Sequence, residues 1–339
     1  MSSLIKHKKV ELTELFYDLV YVYAISQTTA LIHHIHHGIV AASSFFYFFI
    51  GLVILINSWM VQTVYTNRFG KNSIRNIVFM FIQMVFLLMS SKAISGDWSE
   101  NFAHFILPFS GISFTLLIQY IMEYQASQES YKKDMIRPYF YILSIRGLSL
   151  AVSAFLPFYL GLTVAALGVV LTWLLPGLFT HSQKRIVQEE ETGINFPHLA
   201  ERLSLLVIIT FGEMIIGIAD YFSVESLSWA SLLIFIIVTN LFMVYIAEID
   251  HMLDENQPGA TGNGMIYSHY PIFIGLSFVT VSLSFLGNHE ANNYFAFSLF
   301  YLGAFLFTAG VLLHKPYNKE SHRFPTALIF YQLSSISML

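Results

Sequence analysis

Long apolar segments separated by short polar breaks run along almost the whole chain. Eleven of them approach the roughly 20 residues that a helix needs to cross a hydrocarbon core about 30 Å thick. They cover residues 12–32, 39–64, 74–94, 102–123, 138–158, 159–180, 199–219, 229–249, 267–287, 293–314 and 322–339. The segments are apolar throughout and do not alternate like the strands of a membrane barrel. The pattern therefore predicts an all-α, multi-pass bundle of about 11 transmembrane helices, within a range of 10 to 12.

The composition agrees with a membrane protein and excludes several functional classes. Hydrophobic residues make up 55% of the 339 positions and charged residues 11%, whereas soluble domains carry about 25% charged residues. A net charge of −4 provides no basic surface for nucleic acid. The absence of cysteine excludes disulfides, thiolate metal sites and cysteine nucleophiles. We expect the lipid bilayer as a partner and no nucleic acid, while a homo-oligomer stays open.

Basic residues accumulate on one side of the predicted helices. If the N-terminus is cytoplasmic, fourteen of the 17 lysines and arginines lie in cytoplasmic segments and only Lys92 lies in an outside loop, as the positive-inside rule expects. The fourteen are Lys6, Lys8, Lys9, Arg68, Lys71, Arg75, Lys132, Lys133, Arg137, Lys184, Arg185, Lys315, Lys319 and Arg323. The first apolar segment contains Glu14 and Asp18 and lacks a small-residue cleavage site, so no signal peptide is expected. The sequence predicts a multi-pass cell-membrane protein with a cytoplasmic N-terminus.

A shift of the chain against itself aligns predicted helices 1 to 5 with predicted helices 7 to 11. The shift places Glu14 on Glu201 and Leu19 on Leu206. Two parallel repeats would then occupy residues 1–182, including helix 6 as a connector, and residues 199–339, with a cytoplasmic loop at 183–198. Chance is the alternative, because apolar helices match one another easily.

Six charged side chains lie within or at the edge of three predicted helices. A charge in mid-bilayer costs roughly 2.5–3.5 kcal/mol on insertion scales, so each needs a partner, water or a shifted pKa. Predicted helix 1 carries two acids four residues apart, and predicted helix 5 carries one arginine about 12 Å from the start of the helix. Predicted helix 7 carries the other two acids and the second arginine. Four acids and two arginines leave a negative excess that a bound cation or a protonated carboxyl would balance. The six are Glu14, Asp18, Arg146, Glu201, Arg202 and Glu213.

These six residues form our candidate substrate-binding or ion-binding site, placed between predicted helices 1, 5 and 7. The alternative is a structural ion-pair network that only fixes helix packing. The structural interpretation suits Glu14 and Glu201 best, because both are close to the predicted cytoplasmic face. Asp18, Arg146 and Glu213 are predicted to lie deeper, where a functional role is favoured.

Histidines, tryptophans and amides add further candidates. His33 and His37 could share a helical face in the first outside loop and bind zinc or copper, although a solvated loop without a metal is the alternative. His104, His198 and His269 begin predicted helices and are interpreted as capping or interfacial residues. Four tryptophans are assigned mainly to the membrane interface, and six amides to interhelical hydrogen bonds or a lined cavity. The tryptophans are Trp59, Trp98, Trp173 and Trp229, and the amides are Asn57, Gln62, Gln83, Gln119, Asn240 and Gln332.

Several stretches resemble the low temperature requirement A (LtrA) family of bacterial membrane proteins. Glu14–Ile25 has the sequence E-L-F-Y-D-L-V-Y-V-Y-A-I, and His198–Glu213 begins H-L-A-E-R and ends G-E. Trp59 with Asn67-Arg68, and Ser268–Pro271, match two further family elements. Tyrosines at 17, 21 and 23 replace family phenylalanines. The resemblance covers nearly the whole chain and implies a membrane protein linked to growth at low temperature, without defining a molecular activity.

Three functions are compatible with these features. The favoured one is a transporter or ion-conducting protein in which Asp18 and Glu213 carry a proton or cation and Arg146 is the counter-ion. An intramembrane enzyme or binding protein for a lipid or isoprenoid is the alternative, with Glu213 as general base and Arg146 or Arg202 holding a phosphate. A purely structural membrane protein is the third. The sequence contains no Walker, G-x-S-x-G or H-E-x-x-H motif, so we expect no nucleotide-driven pump. We also expect no cofactor, and no metal apart from the weak candidates His33 and His37.

Overall fold

The computed structural model describes residues 8–94, 98–182, 194–255, 257, 262–288 and 290–323. Within these ranges the chain forms ten α-helices and one short hairpin. The helices are α1 (Leu12–Thr29), α2 (Ala42–Phe69), α3 (Ile74–Ala93), α4 (Trp98–Ala126), α5 (Ser130–Ser153), α6 (Phe158–Ser182), α7 (Phe196–Gly217), α8 (Trp229–Ile246), α9 (Asn263–Leu286) and α10 (Asn293–Leu312).

The helices confirm the predicted all-α class, and each corresponds to one of the first ten apolar segments. The eleventh predicted segment, at 322–339, lies almost entirely outside the described residues, so a total of 11 stays a prediction. Eight of the described helices are long and apolar enough to cross a membrane: α1, α2, α3, α4, α6, α8, α9 and α10. The other two, α5 and α7, carry Arg146 and Arg202. The chain is therefore a membrane protein with several candidate spans.

A short hairpin connects α1 and α2. Strand β1 (Ile35–His36) pairs antiparallel with β2 (Ile39–Val40). The connecting turn has positive φ at both central residues, +52° at His37 and +85° at Gly38. This is the backbone requirement of the tight type I′ turn, whose twist matches that of paired strands.

The chain divides into two compact units. The amino-terminal unit comprises Glu11–Thr28 and Ile50–Asn195, and so contains most of α1 and α2 together with α3 to α6. The carboxy-terminal unit comprises Met1–Val10, Thr29–Phe49 and Phe196–Leu339, and so contains the hairpin and α7 to α10. The predicted pair of parallel repeats stays a prediction.

Aromatic packing stabilises one end of the amino-terminal unit. Tyr65 and Phe69 of α2 pack with Leu116 and Tyr120 of α4 and with residues of α5 in a buried apolar cluster. Tyr120 also stacks on Tyr139, with ring centroids 4.6 Å apart. Stacked and edge-to-face aromatic pairs add roughly 0.5–1.5 kcal/mol beyond their burial, so this cluster fixes the positions of α2, α4 and α5.

Glycines bring α9 and α10 into backbone contact in the carboxy-terminal unit. A Cβ added at Gly275 would lie 2.6 Å from the Gly303 carbonyl oxygen, and one at Gly310 would lie 2.7 Å from the Ser268 carbonyl oxygen. Small residues allow such close approach where helices associate without help from the hydrophobic effect. The α9–α10 pair is therefore a tightly packed element of this unit.

Candidate functional site

Arg146 is the centre of a buried polar network in the amino-terminal unit. The side chain projects from α5 and is 0% exposed. Its Nε–H donates to Asn57 Oδ1 at 3.0 Å, and its terminal nitrogens donate to the hydroxyls of Ser58 and Ser113. A guanidinium has five donors in a fixed plane, which allows it to bond α2 and α4 simultaneously. Arg146 thus links three helices.

Asp18 of α1 is held by the same segment of α2. The Trp59 indole N–H donates to Asp18 Oδ1 at 2.6 Å, and Asp18 is also 0% exposed. Three consecutive residues of α2, from Asn57 to Trp59, therefore hold both the buried acid and the buried base. Hydrogen bonds to ionised groups are roughly twice as strong as neutral ones, so this arrangement offsets part of the cost of burying the two charges.

The network continues through hydroxyl and amide side chains. Tyr21 hydrogen-bonds Ser58 and lies near both Asp18 and Arg146, and its hydroxyl is 3.4 Å from that of Tyr17. Tyr17 donates to Gln83 Oε1 at 3.0 Å, and Gln83 Nε2 donates to Gln119 Oε1 at 3.0 Å. On another side, Asn57 Nδ2 donates to Thr172 Oγ1 at 2.7 Å. All six helices of the amino-terminal unit thus contribute to one network.

Some amide and hydroxyl groups of this region retain hydrogen-bonding capacity. Both amide atoms of Gln62, the hydroxyl of Thr63 and Nε2 of Gln119 are buried without a partner among the described residues. Gln62 lies one turn after Ser58 on α2 and is therefore on the same face. Buried polar groups are almost always hydrogen-bonded, in many cases to water or a ligand. These groups therefore suit water or a small polar species beside the network.

The other predicted site residue of the amino-terminal unit, Glu14, lies in the first turn of α1. It is buried, and its Oε2 accepts the Glu11 backbone N–H at 3.1 Å. A carboxylate that accepts an unpaired N–H at a helix start acts as a cap. This contact agrees with the structural interpretation of Glu14.

The three predicted residues of α7 belong to the carboxy-terminal unit. Arg202 is fully buried, whereas Glu201 and Glu213 are half-buried. Glu213 lies four residues before the end of α7 and follows Gly212, which has open space around it. The structure thus places Asp18 and Arg146 in one network and Glu201, Arg202 and Glu213 in the other unit. A site shared by predicted helices 1, 5 and 7 stays a prediction.

The helical face proposed for His33 and His37 does not form. His33 ends a short 3-10 turn, and His37 lies in the tight turn of the hairpin. The His33 ring packs against Phe285, and burial, with a smaller effect of His34, lowers its pKa below the usual range. Within the described residues, no three histidine or acidic side chains are grouped so that they could hold a metal ion.

The structure gives two residues contacts that the sequence did not predict. Trp59, assigned mainly to the membrane interface, is buried and donates to Asp18. His269 is not a cap, since it lies in the second turn of α9, where it is completely buried. Roles for Ser58, Ser113, Thr172 and Tyr21 were not predicted, because serine, threonine and tyrosine occur throughout apolar helices and acquire a role only from their neighbours. The expected interhelical bonds were confirmed for Asn57, Gln83 and Gln119.

Comparison with models of known protein families gives a match over nearly the whole chain. The profile of a family described as bacterial low temperature requirement A protein (LtrA) matches residues 9–338. No match was found among curated proteins or among solved structures. The matched range includes every residue of the buried network and all the motifs that carry the resemblance.

Proposed function

Because this chain belongs to the low temperature requirement A (LtrA) family of bacterial membrane proteins, we propose that it is a multi-pass transporter or ion-conducting protein of the cell membrane. Its N-terminus is cytoplasmic, and its substrate is a proton or small cation. The role of the family in growth at low temperature would follow from this flux. The buried network of the amino-terminal unit, centred on Asp18 and Arg146, is the core of the proposed pathway.

One observation carries the proposal: an acid and a base, both completely buried, are held by consecutive residues of one membrane-spanning helix. Packing alone is a weak reason for such charges, because well-packed apolar residues often replace a buried ion pair without loss of stability. Ionisable groups inside membrane segments are typical of proton relays and ion pathways. A functional role therefore accounts for these residues better than a structural one.

The geometry supports distinct roles for the two charges. Asp18 is the group that binds and releases the transported ion, since a carboxylate accepts either a proton or a cation. After release, the carboxylate accepts the Trp59 indole N–H again. Arg146 is the fixed positive charge that makes the release of that cation favourable. The hydrogen-bonded side chains of Tyr21, Tyr17, Gln83 and Gln119 would replace the water around the ion as it moves along the pathway. The amide of Gln62, which has no partner among the described residues, would do the same. Glu213, with Glu201 and Arg202, would serve the same pathway in the carboxy-terminal unit.

Flux measurements on proteoliposomes test this proposal. We expect Asp18→Asn to reduce proton- or cation-driven flux at least about tenfold, because the amide keeps the shape but cannot exchange a proton or balance a cation. The matched control is Asp134→Asn, which changes an exposed carboxylate paired with Arg137 at 2.9 Å and should keep wild-type flux.

The result is interpretable only if the variants are folded, so thermal unfolding is measured on the same preparations. A folded Asp18→Asn protein that retains wild-type flux of protons, sodium and potassium would contradict the proposal. Asp18→Glu, which keeps the charge, should recover part of the flux if exchange at this carboxylate is the limiting event.

A further inference from the structure

A second group of buried polar side chains lies in the carboxy-terminal unit and contains no residue that the proposed pathway uses. After α8, the helix continues as one π-helical turn, Ala247–Met252. π-helical turns are rare and are frequent at functional sites. The group comprises Tyr245, Glu248, His269, His314 and Asn318, all buried. We refer to it as the histidine cluster.

The side chains of this cluster form a circuit, in which each one contacts the next or lies a short turn away from it along the chain. The Tyr245 hydroxyl is 2.9 Å from His269 Nε2, and the His269 and His314 rings stack with centroids 5.0 Å apart and 24° between their planes. A short turn leads from His314 to Asn318, with the Tyr317 N–H donating to the His314 carbonyl at 2.7 Å. The Asn318 side chain hydrogen-bonds Glu248, which lies one turn after Tyr245. These contacts bring the five side chains of the histidine cluster together.

His269 has no remaining hydrogen-bonding capacity in its neutral form. Its Nδ1 is 2.6 Å from the Met265 carbonyl oxygen, and a carbonyl only accepts, so Nδ1 carries the hydrogen. The Nε2 atom then accepts, and the Tyr245 hydroxyl is its donor. His269 is thus a fixed platform for the stacked His314 ring.

His314 is in the opposite situation. Its side chain is 0% exposed, yet neither ring nitrogen has a hydrogen-bond partner among the described residues. A neutral imidazole offers one donor and one acceptor. Glu248 Oε1 and Asn318 Oδ1 are likewise buried without a partner in the described part of the chain. Buried groups of this kind normally have a partner, so the circuit has the capacity to bind one.

The types of the open atoms define the chemistry of that partner. Three of the four are acceptors, and Glu248 adds a negative charge, so the complementary ligand is a cation that donates several hydrogen bonds. A coordinated metal is disfavoured, because the described residues contain no group of three histidine or acidic side chains able to hold one. We propose that the histidine cluster binds a small cation with N–H donors, either ammonium or the charged head of a primary amine.

Thermal unfolding of the full-length protein in nanodiscs tests this site. Ammonium and potassium ions are similar in size, but only ammonium donates hydrogen bonds, so equal concentrations of the two chlorides at pH 7 separate recognition from ionic strength. We expect ammonium to raise Tm by about 2 °C or more above potassium, because a ligand that binds only the folded state stabilises it. Methylammonium distinguishes the two ligands. If only ammonium raises Tm, the site binds the free ammonium ion; if methylammonium raises Tm as well, the site also accepts the head of a primary amine.

His314→Phe should abolish the ammonium response, because phenylalanine keeps the stack on His269 and removes both nitrogens. Glu248→Gln is a second variant that preserves shape and removes the charge, and it should also abolish the response if His314→Phe does not fold. The matched control, His104→Phe, changes an exposed histidine of the other unit and should respond as the wild type does.

Equal Tm values in ammonium and potassium for the wild-type protein would overturn the proposal, as would an unchanged ammonium response in a folded His314→Phe or Glu248→Gln protein. The site is independent of the proposed transport function. Loss of flux in Asp18→Asn says nothing about the histidine cluster, and absence of ammonium binding leaves the flux experiment unaffected.

Discussion

At the scale of single residues, environment and not residue type decides what each side chain does. Arg146 is buried and bonded to three neutral side chains on two helices, whereas Arg137, on the same α5 helix, is 59% exposed and paired with Asp134. The same contrast separates Trp59, which donates to Asp18, from Trp229, which is exposed. Position in the sequence separates the two arginines, since Arg146 lies inside a predicted helix and Arg137 in a predicted cytoplasmic segment, but it gave the two tryptophans the same interpretation.

The contrast between the two arginines yields a stability prediction. Arg146→Lys should lower the free energy of unfolding by about 2 kcal/mol or more, because a lysine ammonium cannot bond Asn57, Ser58 and Ser113 in the planar guanidinium pattern and leaves buried groups unpaired. Arg137→Lys should have little measurable effect, since exposed ion pairs contribute little. Thermal unfolding in the same detergent measures both. Equal stability of the two variants would mean that the Arg146 network does not hold the helices together.

At the scale of elements, local backbone features determine how the helices can pack. The turn at His37 and Gly38 needs positive φ at two residues, and it converts a histidine-rich loop into a hairpin. The Asn292 backbone N–H donates to the Gly38 carbonyl at 2.9 Å, so this hairpin is tied to the start of α10. The π-helical turn after α8 similarly positions Glu248 in the histidine cluster.

The glycines between α9 and α10 provide a test at this scale. Gly275→Ala should destabilise the protein by about 1–3 kcal/mol, because the added methyl group meets the Gly303 carbonyl and the Phe307 backbone, which cannot move independently of α10. Gly212→Ala on α7 is the matched control. A Cβ there meets nothing within 4 Å, so the better helix propensity of alanine should leave stability unchanged or raise it by up to about 1 kcal/mol.

Thermal unfolding again compares the two glycine variants with the wild type. If Gly275→Ala is as stable as Gly212→Ala, the helices must separate at little cost, and close packing of α9 on α10 would not be a main source of stability in the carboxy-terminal unit.

At the scale of the whole molecule, the orientation in the membrane is predicted by the sequence and is not tested by the fold of either unit. The predicted cytoplasmic side holds fourteen of 17 basic residues. On this topology the segment between α4 and α5 faces the cytoplasm, and the segment between α7 and α8 faces outside.

Labelling of introduced cysteines tests this orientation directly, because the chain contains no cysteine of its own. Gln128 and Val224 are exposed positions in the two segments. In intact cells, we expect a membrane-impermeant maleimide to label Val224→Cys and not Gln128→Cys, and to label both after the membrane is permeabilised. The reverse pattern in intact cells would place the N-terminus outside.

The buried charges could be predicted from the sequence, whereas the buried histidines could not. Asp18 and Arg146 could be found because charges are rare in apolar helices and costly there. His314 lies at the end of a predicted helix with nothing to distinguish it, and its importance depends on the stack with His269, 45 residues away in the chain. Spacing on one helix shows which residues share a face, but it does not show which face another helix will meet.

The amino-acid sequence by itself therefore determined the helical membrane class, the first ten helices and the scarce charges, since these depend on composition and on the apolar pattern along one segment. It also indicated the family, through the resemblance of its motifs. Only the tertiary structure decided that three consecutive residues of α2 hold Asp18 and Arg146, that His33 ends a 3-10 turn while His37 lies in the hairpin turn, and that a histidine cluster exists. The physical reason is that hydrogen bonds and ring contacts between helices depend on rotation, tilt and register, which an apolar segment leaves undefined until it packs.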